Sequence, residues 1–409
     1  MHVFVLPSWY PSRRQPMAGL FARDQALAVA RARPDWRVTV GTWGHHDGAL
    51  SLRDMAGNLR AIGWRARARA GWHEVGGEGR EGARVHEHLT PRLSWTLALA
   101  GGGVRGLLSA SRANLQAAEA RFGPVDVVHA HVGFPAGWIA AQLKKERPMP
   151  VVLTEHMGPF PFPALRAADG GPNAPLREAF AQAQATVAVS QALAQRLRDC
   201  NLRCDTVIPN GVDDARFSTL PLPARPEAGQ PFVFFALGSL LPVKGFDVLL
   251  HALARLPASL NLQIHLGGDG PDRAALHTLA QRLGVEDRVR WLGTLAPTAV
   301  PAALAQSHAF VLSSRHESFG VVAVEALMAG RPVLATRCGG PEDIVGEGDG
   351  LLVSRDDPDA LALGLRAMAE GRVALDAPAA RRARAVARFG RLAVGQQVAA
   401  LLERAARRP

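Results

Sequence analysis

The chain has 409 residues, 48% of them hydrophobic and 20% charged, with a formal net charge of +11. This length suits two domains of about 200 residues, each able to bury its own core. The basic excess is scattered as single arginines without a run interleaved with aromatics, which excludes a nucleic-acid groove and leaves phosphorylated substrates or anionic lipid.

Three cysteines, Cys200, Cys204 and Cys338, make neither a disulfide framework nor a zinc site. No stretch approaches about eighteen uninterrupted apolar residues, and the chain enters a strand at once without a basic leader, so a cytoplasmic protein is expected. Lysine occurs only at Lys144, Lys145 and Lys244. In so Arg-biased a chain, the isolated Lys244 marks a site that wants a compact point charge rather than a planar fork.

Residues 2–6 read as the first strand, 7–19 as a long loop and 20–31 as a helix. In an open α/β sheet, ligands bind beyond the carboxyl ends of strands. The loop, with Tyr10, Arg13 and Arg14, is therefore either a site wall or an ordinary surface loop with Tyr10 packing its base. It lacks G-x-G-x-x-G, which argues against a dinucleotide oxidoreductase. A second strand covers 37–43. Residues 50–82 are rich in Arg, Gly and Trp and show no clear period. The apolar stretch 93–108, broken by Gly101-Gly102-Gly103, is either a helix pair over the sheet or an interfacial patch.

Buried strands follow over 125–130 and 151–154, with His131 and His156 just past their ends. Each is either a satisfied structural histidine or a ligand contact. Strands at 185–189 and 205–208 come next, and the turn-rich 209–214 with the Pro-dense 220–226 places a domain boundary near 215. The pattern then restarts. A strand at 232–236 leads through a loop bearing Ser239 and Lys244-Gly245 into a helix ending near 256. A strand at 262–266 runs into Gly267-Gly268-Asp269-Gly270 and a helix over 273–283. A strand at 289–292 ends at Gly293-Thr294-Leu295. Asp356-Asp357-Pro358-Asp359 offers the D-x-D pattern of a metal site, but Asp at an N-cap followed by Pro at N1 is helix-start chemistry, and the metal reading is rejected. Residues 380–407 read as one long basic helix.

The densest chemistry lies between His316 and Val345. A strand at 309–312 breaks at Ser313-Ser314, Ser318 can cap a helix from about 319, Gly330 suits its C′ position, and 333–336 is the next strand. At the helix start the free N–H groups carry about half a positive charge and suit a diphosphate. Glu317 stands just before this end and Glu325 eight positions on. They are either contacts to a ligand beside the phosphates, or a dipole partner and a solvated side chain.

The motif Glu317-Ser318-Phe319-Gly320, the gap to Glu325, Ala329-Gly330-Arg331-Pro332-Val333 and Gly339-Gly340 resemble the donor-sugar signature of family-four retaining glycosyltransferases. The resemblance covers nearly the whole chain. It implies two Rossmann-like α/β domains facing across a cleft (the GT-B arrangement). Residues 1–215 would bind acceptor, 216–385 a nucleotide-diphosphate sugar, and 386–409 would form a helix returning to the first domain. It further implies that Glu317 and His131 meet the transferred sugar, that Glu325 meets the ribose, and that Lys244 pairs with the diphosphate. Gly19, Gly268, Leu295, Phe319, Gly320 and Val321 would line the donor, while Tyr10, Arg13, Arg14 and His156 are acceptor-side candidates. The sequence departs from the pattern at Ser239, where the family has an arginine.

The activity so implied is retaining transfer of a hexosyl unit to a hydroxyl, in glycan, lipid-linked saccharide or glycoconjugate biosynthesis, with no metal or other cofactor. An epimerase or phosphorylase on the same fold, or a non-catalytic nucleotide-sugar-binding protein, are the rivals. Arg65, Arg67, Arg69 and Arg105 near Trp64, Trp72 and Trp95 suggest an anionic or membrane-borne acceptor with peripheral contact to an anionic membrane. An arginine-biased composition accounts for the charge equally well.

Overall fold

Short runs of Val, Leu, Ile and Phe bounded by Gly, Pro and Asp build the strands, because β-branched and aromatic side chains pack well on a pleated surface buried on both faces. In the computed structural model, which describes residues 1–52, 54–76, 84–95 and 103–407, they assemble two sheets. The chain forms two compact units, Met1–Gly211 with Arg391–Pro409, and Val212–Gly390. The passages between units thus lie at Gly211/Val212 and Gly390/Arg391, where the sequence placed them near 215 and 385.

The first unit holds β1 (His2–Pro7), β2 (Arg37–Thr42), β3 (Gly71–Gly76), β4 (Arg84–Leu89), β5 (Val127–His131), β6 (Val151–Glu155), β7 (Ala185–Ala188) and β8 (Thr206–Val207). Their spatial order is β3-β4-β2-β1-β5-β6-β7-β8, parallel except for the antiparallel β3. Val3, Val5, Val38, Val40, Val127 and Val152 form the core with helices Leu20–Ala32 and Arg391–Arg407. Each such side chain contributes about 1.5–3 kcal/mol on full burial. The two helices meet where Gly395 crosses Ala28; a Cβ there would lie 2.1 Å from the Ala28 carbonyl oxygen.

The second unit holds β9 (Phe232–Leu237), β10 (Leu262–Gly267), β11 (Val289–Gly293), β12 (Ala309–Leu312), β13 (Val333–Thr336) and β14 (Gly350–Val353), all parallel in the order β11-β10-β9-β12-β13-β14. Phe234, Ile264, Leu266, Val311 and Leu334 are buried beneath helices Phe246–Ala254 and Pro358–Ala369.

Four expectations are corrected. The basic tail is two helices, Pro378–Phe389 and Arg391–Arg407, because the backbone turns extended at Gly390 (φ −61°, ψ 151°). The key helix starts at Val321, with Gly320 rather than Ser318 as its N-cap and no side-chain cap bond. The stretch 50–82 contains the helix Met55–Arg67 and strand β3, although 53 and 77–82 lie outside the described residues. Of the stretch 93–108, residues 96–102 also lie outside them, and Val104 opens a single helix running to Phe122.

Candidate functional site

Each sheet reverses its strand order once, between β1 and β5 in the first unit and between β9 and β12 in the second. At such switch points the following loops run to opposite sides and leave a crevice at the carboxyl ends of the strands. Both clusters of expected site residues lie at these two places.

In the second unit, β9 delivers Lys244 and β12 delivers Glu317. Their side chains meet, with Lys244 Nζ donating to Glu317 Oε1 at 2.6 Å and Ser314 Oγ donating to the same oxygen at 2.7 Å. Both are mostly buried, with side chains 27% and 13% exposed. The backbone fixes this meeting. Gly245 adopts φ 61° with the Ser313 carbonyl oxygen 2.1 Å from where a Cβ would stand, and Ser313 Oγ donates to the Lys244 carbonyl at 3.0 Å. Glu317 N donates to Cys338 O, and Gly340 N donates to Glu317 O, at 3.0 and 2.9 Å. Arg315 grips both Asp247 oxygens at 2.8 Å and receives support from Asp356, which ties the β12 loop to the Lys244 turn. Ser314 and the Arg315–Asp247 clamp were not singled out in the sequence. Their only signal there is position, next to Glu317 and three residues past Lys244.

The end of the helix Val321–Met328 opens beside Glu317. Phe319 is buried in the core and Gly320 adopts φ 106°, so the first turn's N–H groups are offered without a side-chain cap. Glu325 is half-buried one turn in. Gly268 (φ 134°) donates its N–H to Gly293 O at 2.7 Å and crosses so close to Gly238 that a Cβ would lie 1.9 Å from its oxygen. Leu295 packs beside Gly267. Ser239, Gly268, Leu295, Lys244, Glu317, Phe319, Gly320, Val321 and Glu325 therefore all belong to the carboxyl edge of one sheet or the helix that follows it. Asp357 caps the helix Pro358–Ala369, accepting from Ala360 N at 2.9 Å, while Asp356 and Asp359 pair with Arg315 and Arg255. Cys338 is buried, and burial pushes its thiol up to about 12.

In the first unit, His131 Nδ1 lies 3.0 Å from His156 Nε2, and Phe21 stacks on His156 at 4.1 Å. Both histidines are buried and neutral: burial drives His156 down to about 3 and His131 well below its ordinary value. The next residue, Val132, has φ 74°, a strained backbone for a β-branched side chain that no sequence signal announces. The fully buried Glu155 carboxylate holds this turn by accepting from the N–H groups of Gly133, His156 and Met157 at 2.8–2.9 Å. Gly19 is left-handed (φ 68°) and folds the first loop back on itself, with Trp9 O only 2.0 Å from where a Cβ would sit.

The acceptor-side candidates separate. Of the two readings of the first loop, Tyr10 fits the one in which it packs the loop's base, 3% exposed with its hydroxyl on Glu87. Arg13 is exposed, and Arg14 is engaged with Asp54 at 3.2 Å; the backbone N–H groups of both donate to Asp47. A cavity of about 340 Å³ opens beside them, lined by Trp9, Trp43, His45, Trp95, Phe134 and Phe162. Trp64 and Trp72 are turned inward, Trp64 over Gly44 and Trp72 against Phe122 at 5.4 Å, so they form no aromatic belt with the arginines.

The family described as glycosyl transferases group 1 matches residues 223–386, and glycosyltransferase family 4 matches residues 51–216. A D-inositol 3-phosphate glycosyltransferase of Xylanimonas cellulosilytica is 33% identical over 307 residues, 68% of this chain and 72% of the relative. The lipopolysaccharide core biosynthesis glycosyltransferase LpsD of Rhizobium meliloti is 32% identical over 191 residues, 46% of this chain. That match spans about half of LpsD, 54% of its length. Among solved structures, Anabaena HepE in complex with UDP superposes with a TM-score of 0.67 at 20% identity, covering 99% of this chain and 100% of HepE. Its complex with UDP-glucose gives a TM-score of 0.65 at the same identity and coverage.

Proposed function

The chain belongs to the family-four glycosyltransferases of the GT-B fold, and on that premise we propose that it moves a hexosyl unit from a nucleoside-diphosphate sugar to a hydroxyl acceptor with retention at the anomeric carbon. The observation that carries this reading is the Lys244–Glu317 contact of 2.6 Å at the second unit's switch point, beside the open end of the helix Val321–Met328. A cation and the positive end of a helix suit the charge that develops on a departing diphosphate. A carboxylate in the same crevice suits the hydroxyls of the sugar hanging from it.

Lys244 and Glu317 satisfy each other. A bound diphosphate draws the ammonium toward phosphate and frees Glu317 for the sugar, with Ser314 keeping its orientation. Glu325 takes the ribose hydroxyls. The leaving group is met by Lys244 and backbone dipoles, so no metal is required. His131 is neutral, and its Nε2, without a hydrogen-bond partner among the described residues, suits acceptance of a hydrogen bond from a sugar hydroxyl bound at the first unit's own switch point. Among the described residues no side chain is assigned as a covalent nucleophile; attack on the same face that the diphosphate leaves is the retaining route proposed. The acceptor is bound by the first unit, and the basic charge there favours an anionic or lipid-linked compound at a membrane surface. Among the described residues no helix is long and apolar enough to cross a membrane.

A second reading rests on Ser239. It is exposed where the family has an arginine, so one cation is missing beside the diphosphate, as in a protein that binds nucleotide-sugars without turning them over. Mass spectrometry against a panel of nucleotide-sugars identifies the donor. Acceptor-dependent release of free nucleoside diphosphate then supports transfer, whereas tight binding with no release under any acceptor favours the second reading.

A further inference from the structure

A surface helix ordinarily turns its apolar stripe to the core. Met55–Arg67 does the reverse. Its inner face is Gly57, Ala61 and Trp64, with Ala61 fully buried and the Trp64 ring lying so close to Gly44 that a Cβ there would strike it at 2.0 Å. That indole seats the helix on the His45–Gly48 turn, and Asp54 caps it by accepting from Gly57 N at 2.7 Å. The outer face carries Met55, Leu59 and Ile62, 77%, 70% and 52% exposed, with Leu52 just ahead at 78%. At 3.6 residues per turn, Met55, Leu59, Ile62 and Ala66 share about 60° of arc. Arg60 and Arg67 flank this stripe on one side and Arg65 on the other, and no acidic residue occurs from Met55 to His73.

We propose that this helix is a membrane-docking element that lies flat on an anionic bilayer, its stripe in the headgroup–acyl boundary and its arginines among the phosphates. The proposal rests on the membrane-surface acceptor of the reading above and names the surface that reaches it. The pattern is that of an interfacial helix, a continuous exposed apolar face rimmed by basic side chains whose stems can lie along it. Charge decides the occupant. Pairing of the stripe with its copy in a second chain would set Arg60, Arg65 and Arg67 against their own equivalents with no carboxylate to offset them, whereas lipid phosphate complements them. The cavity lined by Trp9, Trp43 and His45 adjoins the turn on which the helix rests, so docking brings the membrane to the proposed acceptor side of the first unit.

The test is sedimentation of the purified full chain with phosphatidylcholine vesicles, with and without about one-third phosphatidylglycerol. Salt-sensitive binding to the anionic vesicles alone is expected. Arg60→Ser, Arg65→Ser and Arg67→Ser together weaken it by about 100-fold, and Leu59→Gln with Ile62→Gln by at least about tenfold. Leu59, Arg60, Ile62 and Arg67 are exposed and Arg65 is half-buried, and circular dichroism confirms that the variants fold. Equal indifference to both vesicle types overturns the proposal, as does binding that the variants leave unchanged. A concentration-dependent dimer abolished by Leu59→Gln and Ile62→Gln also overturns it and assigns the stripe to a second copy. Nucleotide-sugar binding by calorimetry in the same preparations separates failure of docking from failure of the transferase reading.

Discussion

Lowering the pH from about 7.5 to about 5 should strongly destabilise the first unit, because it buries histidines that resist taking up a proton in place. Burial is the first cause for each. It brings His45, His129 and His156 from an ordinary 6.5 to about 3; the Ser8 carbonyl opposes the shift at His45, and the neighbouring His129 reinforces it at His156. His131 moves in the same direction. Between the two values the unfolded chain binds the protons and the folded chain does not. Stability is therefore complete above about pH 6.5 and is lost as pH falls toward about 3. At about pH 5 each of the three groups costs about 2 kcal/mol, about 6 kcal/mol together, against a typical domain stability of 5–15 kcal/mol. Glu155, raised by burial, offsets a little of this at the acid end. Seven of the eight tryptophans lie in the first unit, so indole fluorescence against pH reports on it. Urea midpoints at several pH values give the slope. An unfolding free energy that stays level from about pH 7 to about pH 4 would refute the reasoning and show that these rings are hydrated or protonated in the folded protein.

Lys244→Ala and Glu317→Gln should each lower turnover by about 10²–10³ with saturating donor while leaving the thermal midpoint nearly unchanged, Lys244→Ala falling at the upper end because Ser239 offers no second cation; wild-type rates in either variant sink the assignment. Turnover in excess EDTA should stay close to that with Mg²⁺, and a collapse rescued by Mg²⁺ or Mn²⁺ shows that metal chemistry was overlooked. Gly19→Ala should destabilise the first loop by more than about 1 kcal/mol, because the position combines a left-handed backbone with a carbonyl where the Cβ must go; an unchanged denaturant midpoint contradicts that geometry.

Most of the parallel strands were plain in the sequence because each is a short apolar run stopped by Gly, Pro or a polar pair, as at Ala309–Leu312 and Val333–Thr336. β3, β4 and β14 were not, since Gly71–Gly76 and Arg84–Leu89 mix His, Glu and Arg with few apolar residues, and Gly350–Val353 is a four-residue strand at the other sheet's edge. The helix Met55–Arg67 was missed for a related reason: its buried face is two small residues and one indole, and its apolar stripe points outward, so the usual period misleads. The donor-side residues were brought to one crevice because their motif is continuous and its turns need Gly245 and Gly320. What the sequence could not supply was pairing across the sheet. That Lys244 and Glu317 touch, and that His131 faces His156, depends on β9 lying beside β12 and β5 beside β6.

The packing of Gly395 on Ala28 means that the first unit is a discontinuous domain, with the second unit inserted between its body and its last helix. Val212 and Gly390 run side by side at the two passages, Val212 N donating to Phe389 O at 2.9 Å. On the ribosome, residues 1–211 emerge first but lack Val394, Val398 and Leu402, which complete their core. At roughly 5–20 residues per second, synthesis of Val212–Gly390 occupies on the order of ten to forty seconds. Throughout that interval the flank of the helix Leu20–Ala32 stays uncovered, while the second unit, contiguous in sequence, is free to fold. The first unit's core can thus be completed only after the second unit has been synthesised, with an apolar groove waiting until then for the helix Arg391–Arg407 or for a chaperone.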